Sequence, residues 1–419
     1  MVMKIAYIVN KANFSDIITL NVYKQLIKNE INFYHISYLN SDFNPNIYNI
    51  ICCNGNISNL IKNLKNIKPD VIFIEISTKM SELVLSIKKF NSVKIERLNF
   101  DIFDELSHIF DYHIFASKAL FVYTYCRYRL PYKILSRSFI SPHPINPLFL
   151  DNGYKKEISP QAVEIREKYP DELLIGMISR PDPVRYSNQF LRILIDLKKK
   201  IKSFKFLAIG GLPQSFKLRI KNSKLLDNIV DIGPVSNEKI PDYLRILDIY
   251  TNHSIVGESF GRNIIEAMFC GIPVIVNSTP WTTNAQIFLV DNKVTGYVAR
   301  SERGYVNAIV DLAINSDLRK LFGINSRKKA INEFDPRKIV QQFEDFLFRV
   351  VTENKFEFDI REKLSELNEI LYEKRKRENN VFDRSLSYSF NFWKTYLEAR
   401  TEIAGGYIKA LKALMKKLL

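Results

Sequence analysis

The 419-residue chain has only four cysteines, Cys52, Cys53, Cys126 and Cys270, and none stands at the spacing of a metal-ligand set. A disulfide framework is excluded as the organising device, and a reducing cytosol is the expected compartment. Acidic residues are also short: 45 Asp and Glu face 61 Lys and Arg, a formal charge of +16. Between Asp111 and Asp151 there is no acidic residue at all. No apolar run approaches the roughly 20 residues of a membrane-spanning helix. The opening residues, Met1 to Asn10, read as one short strand rather than a signal peptide. Contact with a membrane is therefore expected only from its surface. Internal repeats and low-complexity tracts are absent as well.

A hydrophobic content of 46% lets a chain of this length bury large cores, and the length points to two domains or more. Lys4 to Val9, Val71 to Ile76, Lys94 to Phe100 and His113 to Ala116 read as buried strands. Helices such as Ile17 to Lys28 and Met80 to Phe90 lie between several of them, which argues a parallel sheet with crossover helices. The polar stretch Asn152 to Pro160 reads as a linker. Strand and helix alternation restarts with Leu173 to Ser179, Phe204 to Gly210, Asn228 to Ile232, Asp248 to Thr251 and Ile272 to Val276. The expected boundaries are 1–150 for a first Rossmann-like domain, 151–335 for a second, 336–355 for a crossover helix and 356–419 for a basic helical extension.

The excess cations ask for an acidic partner, and nucleoside diphosphates, anionic lipid headgroups and nucleic acid all qualify. Lys118, Arg127, Arg129, Lys133 and Arg137 alternate with Tyr123, Tyr125, Tyr128 and Tyr132, a pattern that suits an interfacial membrane site, a phosphorylated acceptor or nucleic acid. A solvated surface with tyrosines partly in the core reads equally well. The cluster Lys198 to Lys202 is explained by cations at a helix C-terminus. At the far end, Ile403, Tyr407, Leu411, Leu414 and Leu418 share one helical stripe, with Lys409, Lys412, Lys416 and Lys417 away from it. Such a helix can dock on a lipid surface, on a partner subunit or on the protein's own core.

The most informative segment runs from Gly257 to Ile275. Gly257 and Gly261 allow a tight turn, Phe260 to Cys270 reads as a helix, Gly271 suits its C-terminal cap and Pro273 opens the next strand. Glu258 then lies in a loop at a helix N-terminus, where free N–H groups and the helix dipole favour an anion such as phosphate. Glu266, about two turns on, can face the same cleft and accept hydrogen bonds from sugar hydroxyls. Two solvated glutamates on an ordinary amphipathic helix are the plainer alternative.

These residues resemble the E-x7-E signature of retaining glycosyltransferases of family 4. Pro280 to Gln286 and Val294 to Val298 resemble the same family's donor loop and closing strand, in the expected order. The resemblance implies the GT-B fold: two Rossmann-like α/β domains facing across a cleft, here with an additional helical C-terminal extension. It implies that Glu258 touches the donor sugar and that Glu266 holds the nucleotide ribose. Ser259, Phe260, Gly261, Arg262 and Asn263 would complete the donor-binding loop. Pro234 and Val235, in Asp231 to Ser236, match the family's turn beneath the nucleobase, although an ordinary strand-to-helix turn explains Gly-Pro equally well.

Arg180, directly after a strand, and Arg185, five positions later, could clamp the two phosphates of a leaving diphosphate. The family usually has an arginine and a lysine there. An ion pair of Arg180 with Asp182 or Glu172 is the structural alternative. No Asp-x-Asp metal site stands at the donor region, so catalysis without metal or cofactor is expected, with cations and a helix N-terminus in the ion's place. His253, beside Asn252 and Ser254, is a secondary donor contact or a packing residue.

Retaining transfer as the resemblance implies it needs no enzymic base, because the leaving phosphate takes the acceptor proton. An inverting enzyme would need a carboxylate or histidine, which Asp101, Asp104, Glu105 or His108 could supply. The chain departs from the family in two places. Asn10-Lys11-Ala12-Asn13 replaces a glycine-rich turn after the first strand, and Asn99 replaces the active-site histidine of the first domain. Asn10, Asn99 and Asp101 are therefore the acceptor-side candidates. Ser141 to Asn146 matches the hinge leading to the second domain.

The expected activity is transfer of a hexose from a nucleoside-diphosphate sugar, UDP- or GDP-linked, to a glycan, lipid or protein acceptor, with retention and without metal. The alternatives are a non-catalytic GT-B protein that binds nucleotide sugars or membranes, and a sugar-nucleotide epimerase. The expected place is the cytoplasm, peripheral to an anionic membrane through the basic face and the C-terminal helix. An oligomer stays open, and nucleic acid is the disfavoured partner.

Overall fold

The computed structural model describes residues 2–10, 14–39, 49–76, 81–100, 103–151, 158–353 and 356–381. The C-terminal amphipathic stripe, Asp101 and most of the linker at 152–157 lie outside them. The chain divides into two compact units, residues 1–150 with 332–375 and residues 151–331 with 376–419.

The first unit is built on a parallel sheet of seven strands among the described residues. They are β1 (Met3–Val9), β2 (Ile31–Ser37), β3 (Ile50–Cys52), β4 (Val71–Ile76), β5 (Val93–Leu98), β6 (Tyr112–Phe115) and β7 (Ser138–Ile140), in the order β3-β2-β1-β4-β5-β6-β7. Near-continuous apolar runs such as Val-Ile-Phe-Ile in β4 suit strands that helices cover on both faces. The order reverses at β1, which pairs with both β2 and β4, so the connections from β1 and β4 leave in opposite directions.

One face of this sheet packs Tyr7, Phe73, Tyr112 and Ile114 against Val340, Phe343 and Leu347 of the helix Pro336–Thr352. Asp335 caps that helix by accepting from the Arg337 N–H at 2.9 Å, and Pro336 occupies its first turn. The chain that follows, as far as Arg375, stays in the same unit. Tyr112 donates to the Phe356 carbonyl at 2.8 Å, and Arg137 donates twice to Glu357 Oε1, at 2.6 and 2.8 Å. A further helix, Ile360–Asn379, forms the described part of the C-terminal extension.

The second unit carries a parallel sheet of six strands among the described residues: β8 (Leu173–Ile178), β9 (Phe204–Ile209), β10 (Ile229–Gly233), β11 (Ile249–Asn252), β12 (Val274–Asn277) and β13 (Gly296–Ala299). Their order is β10-β9-β8-β11-β12-β13, with the reversal at β8. Phe190, Phe206, Phe216 and Tyr305 dominate one core. The α/β class expected from the strand and helix alternation is what the two units show. Three strands of the first sheet, β2, β3 and β7, were not among the expected ones. β2 reads Ile-Asn-Phe-Tyr-His-Ile-Ser, mixed in polarity, and β3 and β7 have three residues each, too short for a periodic signal.

Candidate functional site in the second unit

The Gly257–Ile275 segment folds as a loop, a helix and a strand, but the helix spans Arg262–Phe269 rather than Phe260 to Cys270. Gly261 is the reason. It occupies the N-cap position at φ +88, in the left-handed region, and the helix can begin only after it. Gly257, at φ +68, lets the loop pass so close to Thr279 and Thr282 that a β-carbon would lie 2.4 Å from each hydroxyl oxygen. Gly271, at φ +72, follows the last turn, as a C-terminal glycine should.

This backbone holds Glu258 firmly. Its N–H donates to Gln286 Oε1 at 3.0 Å, and its carbonyl accepts from the Ala285 N–H at 2.9 Å. The carboxylate, in a residue 9% exposed, lies 2.5 Å from Arg185 Nη1. Arg185 also donates to Asn252 Oδ1 at 3.0 Å. Asn252 in turn donates to Asn263 Oδ1 at 3.2 Å, and Asn263 donates to the Ile178 carbonyl at 2.9 Å. Arg185, Asn252, Glu258 and Asn263 therefore converge at the carboxyl ends of β8 and β11, where ligands of parallel α/β sheets bind. Burial pulls the Arg185 pKa down, but the neighbouring Glu258 charge more than offsets it and leaves the guanidinium above its ordinary value.

Arg180 behaves differently. It is exposed and makes no ion pair among the described residues; Glu172, one of its expected partners, binds Lys205 at 3.1 Å instead. The loop that carries it passes close to the turn after β9, since a β-carbon on Gly211 would sit 3.5 Å from Pro181 and 3.7 Å from the Gly233 Cα. Pro234, exposed, and Val235, partly buried, follow directly on Gly233. The glycine pair Gly210-Gly211, both at positive φ, was missed from sequence, although a Gly-Gly after an apolar strand is a recognisable signal.

Glu266 is partly buried in the helix, and burial raises its pKa from the ordinary 4.5 to about 7, against a smaller opposing effect of Arg262. Ser259 and Arg262 are partly buried, and Phe260 is buried at 6% exposure. His253 is buried. Its ring is 1% exposed and packs between Phe190 and Tyr305, with centroids 5.5 and 5.7 Å away. Burial lowers its pKa to about 3, so the imidazole is neutral. No group of three or more His, Cys, Asp and Glu side chains suited to hold a metal ion occurs among the described residues.

The acceptor-side candidates belong to the first unit. Asn10 directly follows β1, and its carbonyl accepts from the Leu39 N–H at 2.7 Å. Asn99, just past β5, donates to Glu75 at 2.6 Å and accepts from His143 at 2.7 Å. Asp101 lies outside the described residues. Asp104 is taken up as a cap, accepting from the Leu106 N–H at 2.9 Å, with Glu105 and His108 in the short turn it starts.

Residues 159–329 match the family model of glycosyl transferases group 1. This domain contains the whole cluster around Glu258. The chain is 21% identical over 190 residues to "Uncharacterized glycosyltransferase MJ1069" of Methanocaldococcus jannaschii, covering 45% of this chain and 48% of that one. It is 23% identical over 225 residues to the trehalose synthase of Pyrococcus horikoshii, covering 51% and 52%. The chain thus spans about half the length of these curated relatives. Among solved structures, Anabaena Alr3699/HepE in complex with UDP-glucose superposes with a TM-score of 0.67 at 16% identity, over 83% of this chain and 100% of that one. The fold is GT-B, and the match to glycosyl transferases group 1 falls within its second unit.

Proposed function

We propose that the chain is a GT-B glycosyltransferase that moves a hexose from a nucleoside-diphosphate sugar to a glycan, lipid or protein acceptor. The observation that carries this reading is the convergence of Glu258 and Arg185 at strand ends inside the matched glycosyl transferases group 1 domain. Arg180, exposed and uncommitted, is the first cation a diphosphate meets. Arg185 can then follow the charge that develops on the bridging oxygen, an arginine fork being well matched to phosphate. Release of Arg185 from Glu258 frees the carboxylate to accept hydrogen bonds from the donor sugar.

Glu266 holds the ribose when ionised. Gly261 places no side-chain cap on the helix start, which leaves its positive dipole end toward an anion. The reaction is proposed to retain configuration, with the leaving phosphate as base, and to need neither metal nor cofactor. A UDP-sugar is the first donor to test, because a structural neighbour is in complex with UDP-glucose. A cytoplasmic place, peripheral to an anionic membrane, is proposed from the charge of +16 and from Tyr132, 67% exposed beside Lys133.

The deciding experiment screens the purified chain against UDP-, GDP- and ADP-sugars by thermal shift and diphosphate release, with chelator present, beside Glu258→Ala and Arg180→Ala. Stabilisation by one donor with turnover that both variants lose supports the reading. Donor binding without turnover would favour a non-catalytic nucleotide-sugar protein. Loss of all activity in chelator would overturn the metal-free mechanism.

A further inference from the structure

A second polar cluster lies wholly inside the first unit, outside the group 1 domain. It joins Tyr7 of β1, Glu75 of β4, Arg97 of β5, Asn99 just after β5, and His143 shortly after β7. Glu75 is 5% exposed, Arg97 0% and His143 7%, whereas Asn99 is only partly buried and its neighbour Phe100 is 52% exposed. The cluster therefore reaches solvent through Asn99, at the carboxyl edge of the sheet, where parallel α/β folds bind ligands.

Elementary hydrogen-bond chemistry fixes every direction in it. An arginine only donates, so His143 Nδ1, 3.2 Å from Arg97 Nη1, accepts and carries no proton. The proton must then sit on Nε2, which donates to Asn99 Oδ1 at 2.7 Å. A carboxylate only accepts, so Asn99 turns its Nδ2 to Glu75 Oε1 at 2.6 Å, and the other carboxylate oxygen accepts from the Tyr7 hydroxyl. Tyr23 receives a second N–H of Arg97 at 2.7 Å, and the rings of Phe73 and Phe343, each 5.5 Å away, hold the guanidinium in place. A flip of the Asn99 amide would set N–H against N–H at His143 and oxygen against oxygen at Glu75. The amide has two hydrogens, and Glu75 takes one. The second is a donor with no partner among the described residues.

We infer that Arg97, His143 and Glu75 are positioning residues that lock the Asn99 amide so that its remaining N–H meets a hydroxyl oxygen of a sugar. The sugar part of this inference rests on the proposed glycosyl transfer. A neutral donor beside the Glu75 carboxylate suits a hydroxyl and disfavours a phosphate, which that carboxylate would repel. Either the donor sugar or a sugar acceptor can supply the hydroxyl, and the two are separable by measurement.

The test uses the full chain and has two parts. Two-bond proton–nitrogen NMR at pH 7 reads the tautomers of the five histidines, with His143 assigned through His143→Gln. An Nε2–H tautomer with bare Nδ1 is expected, and it should survive in Glu75→Gln, because Arg97 still donates to Nδ1. The opposite tautomer in the unaltered chain overturns the lock, whatever the fate of the transfer reading. Calorimetric titration with UDP-glucose, and with UDP as the sugar-free control, then compares the unaltered chain with Asn99→Asp and Glu75→Gln.

Unchanged UDP affinity with a roughly five- to tenfold loss for UDP-glucose assigns the hydroxyl to the donor. If UDP-glucose affinity holds, free glucose is added as acceptor, and a raised KM for glucose at unchanged donor KM assigns it to the acceptor. Correctly folded variants that change neither quantity overturn the inference. An unaltered chain that binds none of the UDP-, GDP- and ADP-sugars overturns the sugar assignment together with the donor proposal, while the tautomer result stands by itself.

Discussion

At the scale of single residues, the Arg185–Glu258 pair sets a clear asymmetry. Both side chains are largely buried, at 19% and 10% exposure, so removing one leaves the other charged and poorly solvated. Arg185→Ala is expected to destabilise the second unit by about 2 kcal/mol, and Glu258→Gln by less, since the amide still accepts from the guanidinium. Urea unfolding followed by tryptophan fluorescence would measure both, and equal costs would contradict the assigned pair. Glu266 gives a pH prediction. Its folded pKa is raised from 4.5 to about 7, so the folded state holds a proton that the unfolded state has released. That stability is complete below pH 4.5 and lost as pH rises toward 7. Nucleotide binding should run the other way, because only the ionised carboxylate accepts from both ribose hydroxyls. UDP affinity is expected to rise between pH 6 and 8, and Glu266→Gln to flatten that rise; titrations at three pH values would show it. The two glutamates were legible because they fall within one local segment. Glu75 and His143 were not, because their relation to Asn99 exists only once β4, β5 and the chain after β7 lie side by side. A lone carboxylate in the apolar run Val71–Ile76 was the available signal.

At the scale of elements, the glutamate loop shows how backbone conformation sets where a helix begins. Sequence periodicity placed the start at Phe260, whereas the left-handed Gly261 moves it to Arg262 and turns Glu258 back toward Arg185. Gly261→Ala has two costs: a φ that non-glycine residues resist by about 1–2 kcal/mol, and a β-carbon 2.8 Å from Leu289 Cδ1. The variant is expected to stay folded but to lose most of its UDP-dependent thermal shift, because the loop and not the core is displaced. A variant that loses stability yet keeps the full ligand shift would detach Glu258 from donor binding. The same limit explains the missed strands. Periodicity reads long buried runs well, and β1, β4 and β8 were found by it. Pairing partners create β3 and β7, which carry too few residues to announce themselves.

At the scale of the whole molecule, the chain completes its first unit with residues that come after its second. The alternation of strands and helices made two α/β units legible, whereas the crossover helix expected at 336–355 came from the resemblance, since the contacts of Pro336–Thr352 with the first core are distant in sequence. Phe343, 2% exposed, packs at a tilt against Tyr23 with centroids 4.6 Å apart, meets Phe73 at 5.8 Å and lies 5.5 Å from Arg97. Phe343→Ala should therefore cost about 3–5 kcal/mol, all of it in the first unit. A chain of two units need not unfold in one step. The expected result is an early calorimetric transition that splits from a later one, with only the later one still raised by UDP. A single transition lowered as a whole, with the UDP shift lost, would mean that the two units fold as one cooperative body. The retained shift would locate nucleotide binding in the group 1 domain without using any residue of the proposed site.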